Sequence, residues 1–113
     1  MIKEYSFGKI IVNNKEYNYD IEVRSDGDVL KWWRKSGHFL VIDDLERAIS
    51  KKPEIIIVGT GCYGVMEISE EVKTKLKNLN IKFIYDNTTK AVEIYNKFLF
   101  ENKVIIGLFH LTC

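Results

Sequence analysis

Several features are scarce in this sequence, and each scarcity excludes a class of protein. Its 113 residues include one proline, and 17 Lys and Arg against 16 Asp and Glu leave a net charge of +1. A near-neutral chain has no overall field that would attract nucleic acid. No apolar run approaches the roughly 18 residues typical of a membrane span, and Lys3 and Glu4 come too early for a secretory signal. We therefore predict a soluble cytoplasmic protein that binds neither nucleic acid nor membrane.

Cysteine is equally scarce, and the two cysteines are not arranged as a metal site. Cys62 and Cys113 form no C-x-x-C pair, and the only histidines are His38 and His110. A chain of this size buries a core without a metal or a disulfide, so we predict free thiols, no metal and no cofactor. A thiol nucleophile at either cysteine, with either histidine as its base, is a sharper alternative without a sequence signature.

What the chain does contain is the pattern of one α/β domain, residues 1–113. Residues 55–58 are all β-branched, which is typical of a strand buried on both faces. Amphipathic helices over 69–80 and from Thr88 or Thr89 to 98 alternate with strands over 81–86 and 104–109. Residues 7–12, 16–24 and 29–34 predict an antiparallel meander, and a short helix capped by Asp43 follows it. The sequence thus predicts a mixed, mostly parallel central sheet with flanking helices and an added meander.

The glycine loop after the buried strand is the most conspicuous motif. Gly59, Gly61 and Gly64 match the dinucleotide-binding spacing G-x-G-x-x-G. In such sites the helix begins at the third glycine, so that its N-terminus binds the pyrophosphate. Here the first good N-cap is Ser69, and Glu70 follows it with a charge that repels phosphate. We interpret the loop as a turn that needs glycine for its backbone, not as a nucleotide site.

The pair Trp32-Trp33 beside Arg34 is the second candidate site. Alternation on a strand sends Trp32 and Arg34 to one face and Trp33 to the other. An exposed tryptophan next to an arginine resembles a binding hot spot. The alternative is a tryptophan covered by the first helix, with Arg34 paired to an acid such as Asp20.

Short motifs along nearly the whole chain resemble one family. They are Trp32-x-Arg34, Gly37-His38, Asp44-Leu45, Pro53-Glu54, Gly59-x-Gly61-x-x-Gly64, Thr89-x-Ala91, Tyr95-Asn96 and His110-x-Thr112-Cys113. In this order they are similar to the Mth938-type domains of unknown function. The resemblance implies a layered α/β fold, relatives that act through protein partners, and a polar signature that includes Thr60, Thr89 and Asn96.

These observations lead to two functional hypotheses. The first is a non-catalytic protein that binds a protein partner as an assembly or accessory factor, through the Trp32/Arg34 face or the glycine-loop pocket. The alternative is a small-molecule or anion binder, or a thiol enzyme, with its site at residues 59–64; self-association is a third outcome. The candidate binding residues are Trp32, Arg34, His38, Gly59, Thr60, Gly61, Gly64, Thr89, Asn96, His110 and Cys113. No catalytic role is assigned to any of them.

Overall fold

A computed structural model describes residues 1–113. The strands in chain order are β1 (Ile2–Ser6), β2 (Lys9–Val12), β3 (Lys15–Tyr17), β4 (Ile21–Arg24), β5 (Val29–Lys31), β6 (Phe39–Leu40), β7 (Ile55–Gly59), β8 (Glu67–Ile68), β9 (Lys82–Asp86) and β10 (Ile105–Phe109). The helices are α1 (Glu46–Ser50), preceded by a 3-10 turn over Ile42–Leu45, then α2 (Glu70–Asn78) and α3 (Thr88–Phe100). No helix has the length and hydrophobicity that crossing a bilayer requires.

The main sheet has five strands in the order β5-β4-β10-β7-β9. Strands β10, β7 and β9 pair in parallel, whereas β4 pairs antiparallel with both β10 and β5. The predicted mixed α/β sheet is therefore confirmed. A separate antiparallel sheet, β1-β2-β3, and a short parallel pair, β6-β8, complete the topology.

The main sheet separates two hydrophobic cores because successive residues on a strand point to opposite faces. On one face, Ile55 and Ile57 pack with residues of α3 and of the small sheet. On the other face, Ile56 and Val58 pack with residues of the 3-10 turn, α1 and α2. Both faces of β7 are thus covered, which explains its run of β-branched residues without a polar alternation.

The predicted meander is wrong in its connections. The alternating run over 16–24 is two strands, because β3 stays with β2 in the small sheet while β4 joins β10 in the main sheet. The break lies at residues 18–20, where the Asp20 carboxylate accepts from Leu111 N at 2.8 Å. Strand β1 was not predicted, because Ile2 is its only buried residue and the strand has no apolar alternation.

Several local predictions are also corrected. The carboxylate that caps the 3-10 turn is that of Asp44, not Asp43, and it accepts from Val41 N at 3.0 Å and Lys35 N at 3.1 Å. Helix α2 has the predicted cap, Ser69, but ends at Asn78; Leu79, which the helical pattern over 69–80 places on the inward face, is 44% exposed. The N-cap of α3 is Asn87, one residue before the predicted threonines.

Candidate functional site

The glycine loop, residues 59–66, follows β7 at the carboxyl end of the main sheet. Its amides are occupied by the chain itself: Cys62 N donates to Thr112 O at 2.6 Å and Val65 N donates to Cys113 O at 3.3 Å. A dinucleotide site would need such N–H groups for its pyrophosphate. In this loop, the N–H groups of Cys62 and Val65 instead bind residues 112 and 113.

Gly61 is the residue that permits this close approach. Its φ is +107°, and a Cβ at this position would lie 2.5 Å from the Cys113 carbonyl carbon and 2.9 Å from Thr112 O. Both obstacles are backbone atoms, which cannot move aside as a flexible side chain can. Gly64 also has a positive φ, +67°, but a Cβ there would meet nothing nearer than 3.7 Å. The two glycines therefore serve different needs: close packing at Gly61, and backbone conformation alone at Gly64.

Thr88 joins the loop to the last strand and was not among the candidates. As the first residue of α3, it accepts from Gly61 N at 2.9 Å and donates its hydroxyl to His110 O at 2.6 Å. A Cβ on Gly59 would lie 2.8 Å from the same hydroxyl oxygen. The sequence showed Thr88 only as a possible helix cap; its contacts across the sheet end depend on the pairing of β7 with β10.

The polar centre of this region is a cluster of Asp20, Arg34 and His110. Asp20 Oδ2 lies 2.6 Å from Arg34 Nη1 and 2.8 Å from His110 Nδ1. Burial raises the pKa of the Asp20 carboxyl, but hydrogen bonds from His110, Arg34 and Leu111 N favour the carboxylate more strongly, so its pKa lies below the usual 3.8. The Arg34 side chain is only 6% exposed. The predicted alternative, in which Arg34 pairs with Asp20, is therefore what the structure contains.

The imidazole of His110 is oriented by this carboxylate. Its Nδ1 also lies 3.1 Å from Arg34 Nη2, so it either donates to Asp20 or accepts from Arg34, and the shorter distance favours donation to Asp20. In that tautomer Nε2 is an acceptor, and it lies 3.4 Å from Thr112 Oγ1. A carboxylate-oriented imidazole is the arrangement of a general base, but His110 is only 6% exposed.

A second histidine and a thiol meet at the surface of the cluster. His38 is exposed, its Nε2 lies 3.7 Å from Cys113 Sγ, and its ring centroid lies 6.2 Å from that of His110. Cys62, within the loop, lies near Tyr5, whose hydroxyl donates to Leu111 O at 2.9 Å. Burial raises the pKa of Tyr5, so this hydroxyl remains a neutral donor. No group of three or more His, Cys, Asp or Glu is placed to hold a metal ion.

Of the remaining candidates, Thr60 belongs to the glycine loop, whereas Asn96 and Thr89 lie outside both the loop and the cluster. Thr60 donates to Asp86 O at 3.0 Å at the end of β9. Asn96 binds both backbone groups of Ile2, with Oδ1 accepting from the N–H at 3.0 Å and Nδ2 donating to the carbonyl at 2.7 Å. It thereby fixes β1 to α3, outside the cluster. Thr89 is exposed and has no side-chain hydrogen bond.

The two tryptophans occupy opposite environments. Trp32 is 5% exposed, its Nε1 donates to Asp44 O at 3.0 Å, and its ring lies 4.6 Å from the Arg34 guanidinium carbon. Trp33 is 74% exposed. Trp32 and Arg34 are thus packed against each other beneath the surface, and Trp33 is the indole that a partner could contact.

A cavity of about 440 Å³ opens beside the glycine loop. Its wall includes Met66, Tyr63, Tyr85 and Asp86. Tyr63 is 74% exposed and Phe7 is 56% exposed, and their ring centroids lie 6.2 Å apart. We call Phe7 and Tyr63 the aromatic rim.

Comparison with known proteins agrees with this architecture. The family described as "Protein of unknown function (DUF498/DUF598)" matches residues 2–110. The conserved hypothetical protein PH1505 from Pyrococcus horikoshii OT3 is 24% identical with a TM-score of 0.90, and the match covers 100% of this chain and 99% of that one. The structure described as MT938 is 28% identical with a TM-score of 0.84, covering 100% and 98%. A Bordetella pertussis protein described as a Mth938-like domain is 16% identical with a TM-score of 0.70, covering 97% and 84%. No curated protein matches the sequence.

Proposed function

Because this chain belongs to the DUF498/DUF598 family of proteins of unknown function, we propose, from its own surface, that it is a non-catalytic domain that binds a protein partner. The role is that of an assembly or accessory factor. The observation that carries this proposal is the aromatic rim: Phe7 and Tyr63 are more than half exposed, their ring centroids lie 6.2 Å apart, and Tyr63 lines the cavity.

The exposed side chains of the aromatic rim are better suited to contact a protein than to bind a small polar ligand. Exposed aromatic side chains that lie together are uncommon on monomers and are enriched at interface hot spots. The cavity wall combines Met66 and Tyr85 with the carboxylate of Asp86. An apolar side chain of the partner would enter the cavity, and its flanking backbone or a basic group would bind Asp86.

The experiment is site-specific photocrosslinking at Tyr63 in the native cells, followed by mass spectrometry of the products. The matched control is crosslinking at Phe100, which is 89% exposed but lies at the far end of α3. The captured protein is then purified, and its Kd is measured for wild type, Tyr63→Ala and Phe100→Ala. A hot-spot residue should weaken binding about 30-fold on truncation, and the control should leave Kd unchanged. The proposal would be refuted if both positions gave the same crosslinked proteins, or if Tyr63→Ala left the Kd of the captured protein unchanged.

The pair of Cys113 and His38 favours a second candidate, a thiol enzyme. Their side chains are 3.7 Å apart, and a nearby imidazole can activate a thiol. Alkylation by iodoacetamide, measured separately at Cys113 and at Cys62, tests it in wild type and His38→Ala. A Cys113 rate that falls about tenfold in the variant, with Cys62 unchanged, would support activation. An unchanged Cys113 rate would eliminate this candidate.

A further inference from the structure

Strand β9 is an open edge of the main sheet. It pairs only with β7, and its inner hydrogen bonds include Lys82 N to Glu54 O at 3.0 Å and Thr60 N to Asp86 O at 2.9 Å. Backbone groups alternate in direction along a strand, so Lys82, Ile84 and Asp86 point theirs toward β7. Phe83 and Tyr85 therefore direct their N–H and C=O groups outward. No side chain of the protein hydrogen-bonds to these outward groups.

At two other sheet edges, those of β5 and β1, side chains bind the outward backbone groups. At β5, the Arg47 guanidinium donates to Lys31 O at 2.8 Å and occupies the edge. At β1, Asn96 binds both backbone groups of Ile2. Unpaired edges are hazards that folded proteins usually cover. The uncovered β9 edge therefore stands out against two edges that side chains block.

The sequence of β9, Lys-Phe-Ile-Tyr-Asp, is complementary to itself when reversed. If Ile84 faces Ile84 of a second copy, then Lys82 faces Asp86 and Phe83 faces Tyr85. Opposite charges and aromatic pairs are the favourable cross-strand neighbours in antiparallel sheets. A parallel arrangement would instead place like charges side by side.

The backbone supports the same register. With Ile84 on the two-fold axis, the outward groups of Phe83 meet those of Tyr85 in the other copy, as two hydrogen-bonded pairs. Ile84 and the Lys82–Asp86 pairs then fall at the non-hydrogen-bonded positions, where opposing Cα atoms are only about 4.5 Å apart. Hydrogen-bond direction thus permits the register that side-chain complementarity selects.

We propose that β9 is an interface for a second copy of this chain, which pairs antiparallel about Ile84 and joins two five-stranded sheets into one. The interface is isologous, since each copy supplies the same strand. It shares Tyr85 and Asp86 with the wall of the cavity, but it rests on the backbone edge of β9 and not on the aromatic rim, so it does not depend on the proposed function.

The test is sedimentation velocity of the purified full chain at low ionic strength. One strand pair is smaller than a standard interface of about 1,600 Å², so the measurement covers monomer concentrations from about 5 μM to 1 mM. Lys82→Asp places two acids at each charge pair, and Asp86→Lys places two bases there. Each single variant should raise the dimer Kd about tenfold, and the double variant Lys82→Asp/Asp86→Lys should restore it.

Two controls complete the design. Lys3→Asp changes the same net charge on an exposed residue of the small sheet and should leave Kd unchanged. In hydrogen exchange of the wild-type protein, the protection of the Phe83 and Tyr85 amides should rise with protein concentration. This measurement does not depend on whether a variant folds. The proposal would be overturned if the protein stayed monomeric across the whole concentration range, or if neither charge reversal changed the Kd of the dimer.

Discussion

Replacing Gly61 with alanine tests the packing of residues 112 and 113 in the glycine loop. The φ of +107° is far from the +57° that L residues adopt in the left-handed region. The added Cβ would also stand 2.5 Å from the Cys113 carbonyl carbon. The variant must either distort the loop or displace the last two residues.

The expected loss of unfolding free energy combines backbone strain with the loss of hydrogen bonds. Strain at an unfavourable φ costs about 1–3 kcal/mol. Displacement breaks the hydrogen bonds donated by Cys62 N and Val65 N, and each contributes about 0.5–1.5 kcal/mol. Together they lower the free energy of unfolding by about 2–6 kcal/mol. At about 4 °C for each kcal/mol in a chain of this size, Tm should fall by about 8–24 °C.

Gly64→Ala is the matched control, because it meets a positive φ of +67° without a steric obstacle. It should cost only about 1–2 kcal/mol. Urea unfolding gives the two free energies, and alkylation of Cys113 well below Tm reports displacement of the chain. If Gly61→Ala loses no more stability than Gly64→Ala, and its Cys113 reacts no faster, then residues 112 and 113 do not pack against the loop as described.

Three further outcomes are expected. Asn96→Ala should lower the free energy of unfolding by about 1–3 kcal/mol in urea, because Ile2 loses both partners, while partner affinity stays unchanged; a loss of affinity would place Asn96 in the site after all. Trp32→Ala should cost about 3–5 kcal/mol and Trp33→Ala less than about 0.5 kcal/mol, and similar thermal shifts for the two would contradict their burial. The folded pKa of Asp20 is lowered, so its stabilisation is present above the unfolded value of 3.8 and is lost as pH falls through the folded value. The Tm difference between wild type and Asp20→Asn should therefore shrink as pH falls below 3.8, and a constant difference from pH 7 downward would contradict the cluster.

The sequence predicts those residues of the candidate site whose role is indicated by residue type and by position at a strand end. The loop glycines, His38 and Cys113 were visible as residue types at strand ends, and the structure brings His38 and Cys113 within 3.7 Å of each other. The sequence indicates Asp20 only as one possible partner of Arg34, because 14 residues separate them and the bond depends on where β4 begins and β5 ends. Thr89 and Asn96 were included by resemblance, and the structure places both outside the cluster.

Helices α2 and α3 and the buried strands could be predicted from the sequence alone, because apolar periodicity and caps act within a few residues. The β-branched run from Ile55 and the cap at Ser69 suffice for a buried strand and the helix α2. Strand pairing, in contrast, became evident only in the folded chain. It separated β3 from β4, placed Asp20 beside His110 across 90 positions of sequence, and filled the glycine loop with residues 112 and 113. Such contacts depend on burial and hydrogen bonding between distant segments, which no local pattern encodes.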